Sequence, residues 1–320
     1  IDDVKIYATV RTPDQIMQDY LQGPGPIASY NFEEKSGTTV NDISGQGRNG
    51  TITAGASKGF VKGKIGRAYD FDGTTSYINV TNDTSLNLTA FSLSLWFKAD
   101  TLNHSSILLA KGGIGGAAPF ANYSLWYYQT TNQIIFEYAY GAARDVIFRV
   151  TMPSAGSWHN IIATWNGTTN TNGMTMTLDG VTSYYTALGV PVLNSADVAI
   201  GGNQVKWDGQ IDDLKIYNYS LTPWQVAQEY NGGKPVAYYK MDEGENKTVY
   251  DWAGKGYNGT LSLGGSPATS TAWQTEANCK KGKCLDFDGT NDMVTITDTT
   301  ASGLDVSTHA TISAWIKPDT

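Results

Sequence analysis

The sequence is poor in the residues on which many enzymes and helical folds depend. Its 320 residues include two cysteines and three histidines, and only 16% of them are charged. Seven of the 30 acidic residues are glutamate, which leaves 23 aspartates. Aspartate is favoured in turns, caps and calcium sites rather than along helix surfaces. This composition argues against coiled coils, helical bundles and disordered tails, and it makes calcium a candidate ligand.

Long apolar runs and excess positive charge are also missing. No segment approaches the roughly 20 apolar residues of a membrane span, and no charged-then-apolar leader opens the chain. The net charge is −8 and the pI is near 4.8, which repels phosphate backbones, so we expect no nucleic-acid partner. The first residue is Ile1, within a strand-like pattern. We therefore expect the sequence to be an internal piece of a longer protein.

Glycine and aromatic residues are abundant, and the apolar residues alternate with polar ones. There are 35 glycines, 19 tyrosines and 9 tryptophans. Period-two alternation occurs at 92–98, 134–138, 161–165 and 174–178, and pairs such as Asn166-Gly167 mark tight turns between such runs. The pattern predicts an all-β protein of sandwich type.

One segment has a helical signature. Thr222 is a suitable N-cap, Pro223 stands at the first helical position, and Gln225 completes a capping box. The sequence predicts a helix over 222–230.

Comparison of the sequence with itself reveals a long repeat, which is the signature of tandem domains. The recurring segments are IDDVKIY (1–7) with IDDLKIY (211–217), TPDQIMQDY (12–20) with TPWQVAQEY (222–230), and 27–52 with 236–261. Their offsets are 210, 210 and 209 residues. We therefore predict three pieces of one repeating module: its last strand and helix in 1–24, a complete copy in 25–233, and the first half of another copy in 235–320. Short Gly-Pro joints between them predict closely spaced modules.

The complete copy resembles the laminin G-like, concanavalin A-like jelly-roll superfamily. The resemblance is carried, in order, by NDISGQGRNGT (41–51), GRAYDFDGTTSYINV (66–80), SLSLWFKAD (92–100), GSWHNIIATWNG (156–167) and GQIDDLKIYNYSLTPWQVAQEY (209–230). It implies two antiparallel sheets with about a dozen strands, closed by a short C-terminal helix in each module. The superfamily contains adhesion modules, lectins, carbohydrate-binding modules and some glycosidases, so the fold alone does not decide the function.

Enzymatic activity is not expected. Related glycosidases carry a Glu-x-Asp-x-x-Glu strand, which is absent, and Glu137 has no partner carboxylate nearby in the sequence. No serine or cysteine stands in a nucleophile-elbow motif. His159 resembles a packed, hydrogen-bonded position of the family rather than a catalytic base.

A structural calcium ion is the predicted cofactor. The resemblance brings together the first strand, the 41–50 loop and the closing strand, and calcium takes six to eight oxygen ligands. The predicted metal ligands are Glu33, Asp42, Asn49, Asp212 and Asp213. The alternative is that Asp42 and Asn49 merely hold a turn and that Asp212 caps strand-end amides.

A sugar site would use exposed aromatic side chains together with polar groups. The candidate ligand-binding residues are Trp126, Tyr128 and Trp207. Core packing competes with this hypothesis, because alternation turns about half of the aromatic residues of a strand inward.

Cys279 and Cys284 replace Gly63 and Ala68 of the complete copy, so both are gained or lost together, as expected of a disulfide. Metal binding by the pair is the weaker alternative. Ten Asn-x-Ser/Thr sequons predict glycosylation, although turn composition alone also enriches such triplets. The sequon asparagines are Asn49, Asn79, Asn82, Asn87, Asn103, Asn122, Asn166, Asn218, Asn246 and Asn258.

Together these features predict a non-enzymatic, extracellular or cell-surface repeat module with a structural and adhesive role. Its expected partners are neighbouring copies of the module, arranged head to tail as in a filament, with glycans or cell-surface proteins as further candidates. The alternative function is a carbohydrate-binding appendage of a secreted glycan-degrading enzyme.

Overall fold

A computed structural model describes the protein over residues 25–53, 57–118, 120–141, 145–231, 237–253, 256–263, 272–280, 282–297, 304 and 312–318. The predicted terminal segment 1–24 lies outside the described residues. The chain divides into two compact units, Ile1–Gly233 and Lys234–Thr320.

The described part of the first unit is a sandwich of two antiparallel sheets, as the sequence predicts; each sheet has eight strands, so the total of sixteen exceeds the expected dozen. The front sheet has the order β14-β13-β12-β7-β16-β5-β4, and β1 pairs with the second half of β16. The back sheet has the order β11-β10-β9-β8-β15-β6-β3-β2. The strands are β1 (Ala28–Tyr30), β2 (Thr39–Val40), β3 (Gly50–Ile52), β4 (Phe60–Lys62), β5 (Arg67–Asp72), β6 (Ile78–Val80), β7 (Phe91–Ala99), β8 (Ser106–Lys111), β9 (Tyr123–Tyr128), β10 (Gln133–Ala139), β11 (Asp145–Thr151), β12 (His159–Trp165), β13 (Met174–Leu178), β14 (Val181–Tyr185), β15 (Val198–Ile200) and β16 (Asp208–Tyr217).

The core lies between the two sheets and consists of the inward-facing residues of both. Alternate residues of a strand point to opposite faces, and Leu93, Leu95 and Phe97 of β7 are accordingly buried in this core. Because adjacent strands of the chain often lie in different sheets, the fold is a jelly roll rather than a meander.

The helix α1 (Pro223–Asn231) begins where the capping box predicts. The backbone N–H of Thr222 donates to Oε1 of Gln225 at 2.8 Å, and the backbone N–H of Gln225 donates back to Oγ1 of Thr222 at 3.3 Å. The ring of Tyr230 stacks on Trp96 of β7, with centroids 5.9 Å apart. The helix therefore covers the outer face of the front sheet. No helix in the described ranges is long and apolar enough to cross a membrane.

The second unit repeats the register of the opening strands of the first. It contains β17 (Thr248–Val249), β18 (Gly259–Ser262), β19 (Trp273–Gln274), β20 (Cys284–Leu285) and β21 (Met293–Ile296). Val249 lies opposite Gly259, just as Val40 lies opposite Gly50 in the first unit. The recurrence in the sequence thus has a counterpart in backbone pairing.

Candidate functional site

Asp42 holds together the loop that follows the first strands. Its Oδ1 accepts hydrogen bonds from the backbone N–H groups of Ser29 (3.0 Å) and Ser44 (2.9 Å), and its Oδ2 accepts one from that of Arg48 (2.9 Å). The backbone N–H of Asp42 donates to Oδ1 of Asn49 at 2.9 Å. Burial raises the pKa of Asp42, but the hydrogen bonds from Ser44, Arg48 and Ser29 outweigh it and hold that pKa below its usual range. Asp42 and Asn49 therefore act as turn-forming residues in this geometry.

Glu33 and Asp212 converge on a different segment, the turn 63–66 between β4 and β5. Oε1 of Glu33 accepts from the backbone N–H of Arg67 at 2.9 Å, and Oδ2 of Asp212 accepts from that of Ile65 at 2.8 Å. Asp212 is buried, and this desolvation raises its pKa to about 6. We call Glu33, Asp212 and the turn 63–66 the carboxylate turn.

The close contact of the two carboxylates with the turn 63–66 requires glycine at two of its positions. A Cβ on Gly66 would lie 1.9 Å from Oε1 of Glu33, and a Cβ on Gly63 would lie 2.6 Å from Oδ2 of Asp212. Both distances are far shorter than any van der Waals contact. Side chains are thus excluded from the space beside the two carboxylates.

Carboxylates are ligands that a hard cation prefers, and the turn 63–66 has one from the loop after β1 (Glu33) and one from β16 (Asp212) beside it; in this structure both accept backbone N–H groups. Asp213 is engaged elsewhere, since its Oδ2 lies 3.1 Å from Nζ of Lys215, which also contacts Glu229 at 2.8 Å. Within the part of the chain that the structure describes, no group of three or more His, Cys, Asp or Glu side chains is placed to hold a metal ion. The five predicted ligands therefore do not form one cluster there, and backbone carbonyls would have to complete the site.

The second unit repeats the Asp42 arrangement and the Glu33 part of the carboxylate turn. Oδ1 of Asp242 accepts from the backbone N–H of Lys283 at 2.8 Å, and a Cβ on Gly282 would lie 2.0 Å from that oxygen. Asp251 accepts from the backbone N–H of Tyr238 at 3.1 Å, as Asp42 does from that of Ser29. Oδ1 of Asn258 accepts from the backbone N–H of Asp251 at 3.0 Å.

The three aromatic candidates occupy different environments. Trp207 is fully buried in the main core, where its ring meets Phe97 edge to face, so it presents no surface to a ligand. Trp126 and Tyr128 lie on the outer face of the back sheet, with ring centroids 5.5 Å apart. They belong to an apolar group that we call the outer cluster: Ile107, Ala110, Trp126 and Ile135, with Ile114, Tyr128, Ile147 and Val205 packed against them.

A carboxylate lies beside the outer cluster. Glu137 is 0% exposed, and its Oε2 accepts from Nε1 of Trp126 at 2.7 Å. The backbone N–H of Gly115 donates to both oxygens, at 2.9 and 3.2 Å. Burial raises the pKa of Glu137 above its usual range, and the nearby Asp145 adds to this shift. Sequence reasoning sees Glu137 as a lone acid, because its partner indole lies eleven residues away on the neighbouring strand.

His159 is packed and hydrogen-bonded. Its Nδ1 lies 2.6 Å from Oδ2 of Asp179, and its ring contacts Phe97. Asp179 also accepts from the backbone N–H of Asn160 at 2.9 Å. The pair therefore fixes the hairpin turn beside it.

Cys279 and Cys284 are joined in a disulfide, with Cα atoms 5.6 Å apart. The sequon asparagines differ in accessibility. Asn122 is fully buried, and it bonds to the backbone of Leu88 through both its Oδ1 (2.9 Å) and its Nδ2 (3.1 Å). Asn79, Asn82 and Asn87 are half-buried, and the exposed ones are Asn49, Asn103, Asn166, Asn218, Asn246 and Asn258.

Comparison with known proteins places this geometry in a family. Residues 72–227 match a laminin G family model, Laminin_G_3, described as the concanavalin A-like lectin/glucanases superfamily. A search of curated protein sequences found no match. This segment of the first unit is therefore a laminin G-like domain of the concanavalin A-like superfamily, as its resemblance predicts.

Two solved structures are similar to this chain in fold, and a third matches it more weakly. Domain 4 of AbnA, a GH43 extracellular arabinanase from Geobacillus stearothermophilus in complex with arabinotriose, has 23% identity and a TM-score of 0.51, covering 64% of this chain and 98% of that one. The binding domain of Paraclostridial Mosquitocidal Protein 1 has 14% identity and a TM-score of 0.50, covering 84% and 72% of the two chains. Trypanosoma rangeli sialidase in complex with sialic acid has 15% identity and a TM-score of 0.46, covering 63% of this chain and 32% of the sialidase.

Proposed function

We propose that the protein is a non-enzymatic, extracellular repeat module with a structural and adhesive role. The observation that carries the proposal is the recurrence of one set of hydrogen bonds in both units. Asp42 and Asp251 bind equivalent backbone amides, and Glu33 and Asp242 contact equivalent glycine turns. The laminin G-like fold and the extracellular arabinanase of similar fold support this location.

Neighbouring copies are the proposed partners. Ile312, Trp315 and Ile316 are 93, 73 and 83% exposed. The sequence repeat aligns them with Leu93, Trp96 and Phe97 of β7, which are all buried: Leu93 and Phe97 lie in the core between the sheets, and Trp96 lies against Tyr230 of α1. A facing sheet and a closing helix of the same kind, supplied by another stretch of repeat, would cover these side chains.

Sedimentation velocity tests this proposal on the chain 1–320. We expect association that increases with protein concentration and weakens in the variant Ile312→Ser/Ile316→Ser. The matched control is Val181→Ser, which changes an exposed valine of the first unit. A monomer at every concentration would contradict association between copies.

Calcium at the carboxylate turn is the proposed cofactor, with Glu33 and Asp212 as its carboxylate ligands. Binding to the folded state alone stabilises it by about 2.7 kcal/mol at a hundredfold excess over Kd. We expect a chelator to lower the melting temperature of the chain, and Asp212→Asn to abolish this response. Asp213→Asn is the control, because Asp213 pairs with Lys215. A wild-type melting temperature unchanged by chelator would refute the site.

Carbohydrate binding is the second candidate function. The pair of Trp126, which is 7% exposed, and the half-buried Tyr128 lies beside the carboxylate of Glu137 and combines the aromatic and polar groups that sugars require. A glycan array tests it, with Trp126→Ala expected to abolish any specific signal. The control is Tyr184→Ala, which removes an exposed tyrosine from β14.

A further inference from the structure

The outer cluster contains a charge that packing alone does not explain. Glu137 has no exposed surface, and among the described residues no cationic side chain lies within salt-bridge distance of it. Burying a carboxylate without a counter-charge is costly, and a residue such as Met or Gln would fill the space more cheaply. Buried charges of this kind are concentrated at sites with a function.

One loop segment covers the carboxylate of Glu137 and donates backbone hydrogen bonds to it. Residues 112–118, Gly-Gly-Ile-Gly-Gly-Ala-Ala, connect β8 towards β9, and we call them the glycine loop. Gly115 donates its N–H to Glu137, and Ile114 packs into the outer cluster. Gly115 and its neighbours through Ala118 are otherwise exposed. The exposed part of the loop thus contacts the outer cluster through Ile114 and hydrogen-bonds Glu137 through the backbone of Gly115 and Gly116.

The groups beneath the loop suit a sugar. With the loop displaced, the buried Trp126 and the half-buried Tyr128 would offer aromatic surface, and Glu137 would offer carboxylate oxygens that accept hydrogen bonds from hydroxyl groups. Asp145 lies on β11 opposite Ala139, two positions from the partner of Glu137, and therefore on the same face. Its Oδ1 is buried and has no hydrogen-bond partner. Two carboxylates on one face would repel acidic sugars and favour neutral ones.

From this arrangement we propose that Glu137 is the hydrogen-bonding centre of a neutral-glycan site that the glycine loop keeps closed. A bound sugar would displace the N–H of Gly115, stack on Trp126 and Tyr128, and donate hydroxyl groups to Glu137 and Asp145. The inference rests on carbohydrate binding, the second candidate function, and it identifies the part of the surface that performs it.

Two variants of the full chain separate a binding role from a structural one. Glu137→Gln keeps the size of the side chain but weakens its acceptor strength, so glycan affinity should fall about tenfold or more. Ile114→Ser removes the apolar anchor of the loop but leaves Glu137 in place, so affinity should rise severalfold because less energy is needed to open the site. A purely structural role for both residues would lower affinity, or leave it unchanged, in both variants.

The probes are arabinotriose, xylotriose and cellotriose, with trigalacturonic acid as the acidic comparison, each measured by calorimetric titration. Hydrogen exchange over 113–118 is followed in parallel. We expect a neutral trisaccharide to bind and to increase exchange at Gly115, whose N–H loses its acceptor.

Three results would overturn the inference. If no neutral trisaccharide binds, the site does not exist, while the structural role of the module is unaffected. If one binds with equal affinity to the wild type and Glu137→Gln, the sugar lies elsewhere, and carbohydrate binding survives without this site. If the acidic trisaccharide binds most tightly, the proposed ligand class is wrong.

Discussion

The ring of Tyr185 stacks on that of Phe148, with centroids 5.2 Å apart and planes 15° from parallel. Tyr185 belongs to β14, the edge strand of the front sheet, and Phe148 belongs to β11, the edge strand of the back sheet. The pair therefore joins the two sheets at an edge where no further strand of the described residues covers the core. Such a contact contributes directly to the cohesion of the sandwich.

Removing this contact should destabilise the first unit. Tyr185→Ala is expected to lower the free energy of unfolding by about 1 to 2 kcal/mol, through lost stacking and lost apolar area. Tyr185→Phe keeps the aromatic ring, so it should change the free energy of unfolding little. Tyr184→Ala is the matched control, because Tyr184 is a neighbouring exposed tyrosine on the same strand. Urea denaturation measures the free energy of unfolding of all three variants. Equal losses of stability in Tyr184→Ala and Tyr185→Ala would contradict the role of the stack.

The sequence predicts the sandwich and its closing helix correctly, because both depend on local signals. Alternation marks the strands, and Thr222 with Gln225 marks the start of α1. The faces of individual aromatic residues are harder to predict. Trp126 points outward and Trp207 inward, although both stand in similarly mixed segments. Periodicity alone does not reveal which neighbouring strand a residue meets.

The candidate site shows the same limit. The sequence predicts one cluster from Glu33, Asp42 and Asp212, whereas the structure places Asp42 in a turn of its own and the other two at 63–66. A register shift in β16 between Asp212 and Lys215, with Asp213 at a φ of 45°, decides where the carboxylates point. Such a bulge leaves no clear trace in hydrophobic periodicity.

Asp72 stabilises the turn that follows β5. Its Oδ1 accepts from the backbone N–H groups of Thr74 (2.9 Å), Thr75 (2.8 Å) and Ser76 (3.0 Å). Burial raises its pKa, but the hydrogen bonds, led by that from Ser76, outweigh burial and hold the pKa well below its usual range. Asp72→Ala should therefore cost about 2 kcal/mol of unfolding free energy at neutral pH.

The effect of Asp72 should depend on pH in one direction. A lowered pKa in the folded state stabilises that state above the pKa of the unfolded chain, near 4, and the benefit is lost as the pH falls further. The difference in unfolding free energy between the wild type and Asp72→Ala should therefore be constant above about pH 5 and shrink below about pH 4. Denaturation curves at several pH values measure this difference, and a difference that grows in acid would refute this account.

Accessibility predicts which sequons can be modified. Expressed through a glycosylating secretory pathway, the exposed Asn103, Asn166 and Asn218 should carry glycans, whereas Asn122 should be bare. Both polar atoms of the Asn122 side chain bond to Leu88 in the interior, so a glycan there would prevent packing. Peptide mapping by mass spectrometry determines occupancy at each site. A glycan on Asn122 of the folded protein would show that this region packs differently.

Lys111 is a buried lysine whose lowered pKa should make the stability of the protein depend on alkaline pH. The side chain is 0% exposed, and its Nζ donates to Oδ1 of Asn82 and to the carbonyl of Ala196. Desolvation lowers its pKa from 10.5 to about 8, although Asp197 opposes the shift. The folded protein therefore releases this proton at a lower pH than the unfolded chain does. Between about pH 8 and pH 10.5 the unfolded chain binds more protons, so the contribution of Lys111 to stability rises with pH across that interval.

Lys111→Met isolates this contribution, because methionine fills similar volume without a charge. Ionising tyrosines affect both proteins equally, so their difference reports Lys111 alone. The stability of the wild type relative to Lys111→Met should increase by about 2 to 3 kcal/mol between pH 7.5 and pH 10.5, since one pKa unit corresponds to about 1.4 kcal/mol. Urea denaturation of both proteins at each pH measures the difference. A difference that stays constant, or falls as the pH rises, would mean that the lysine remains charged and solvated in the folded protein.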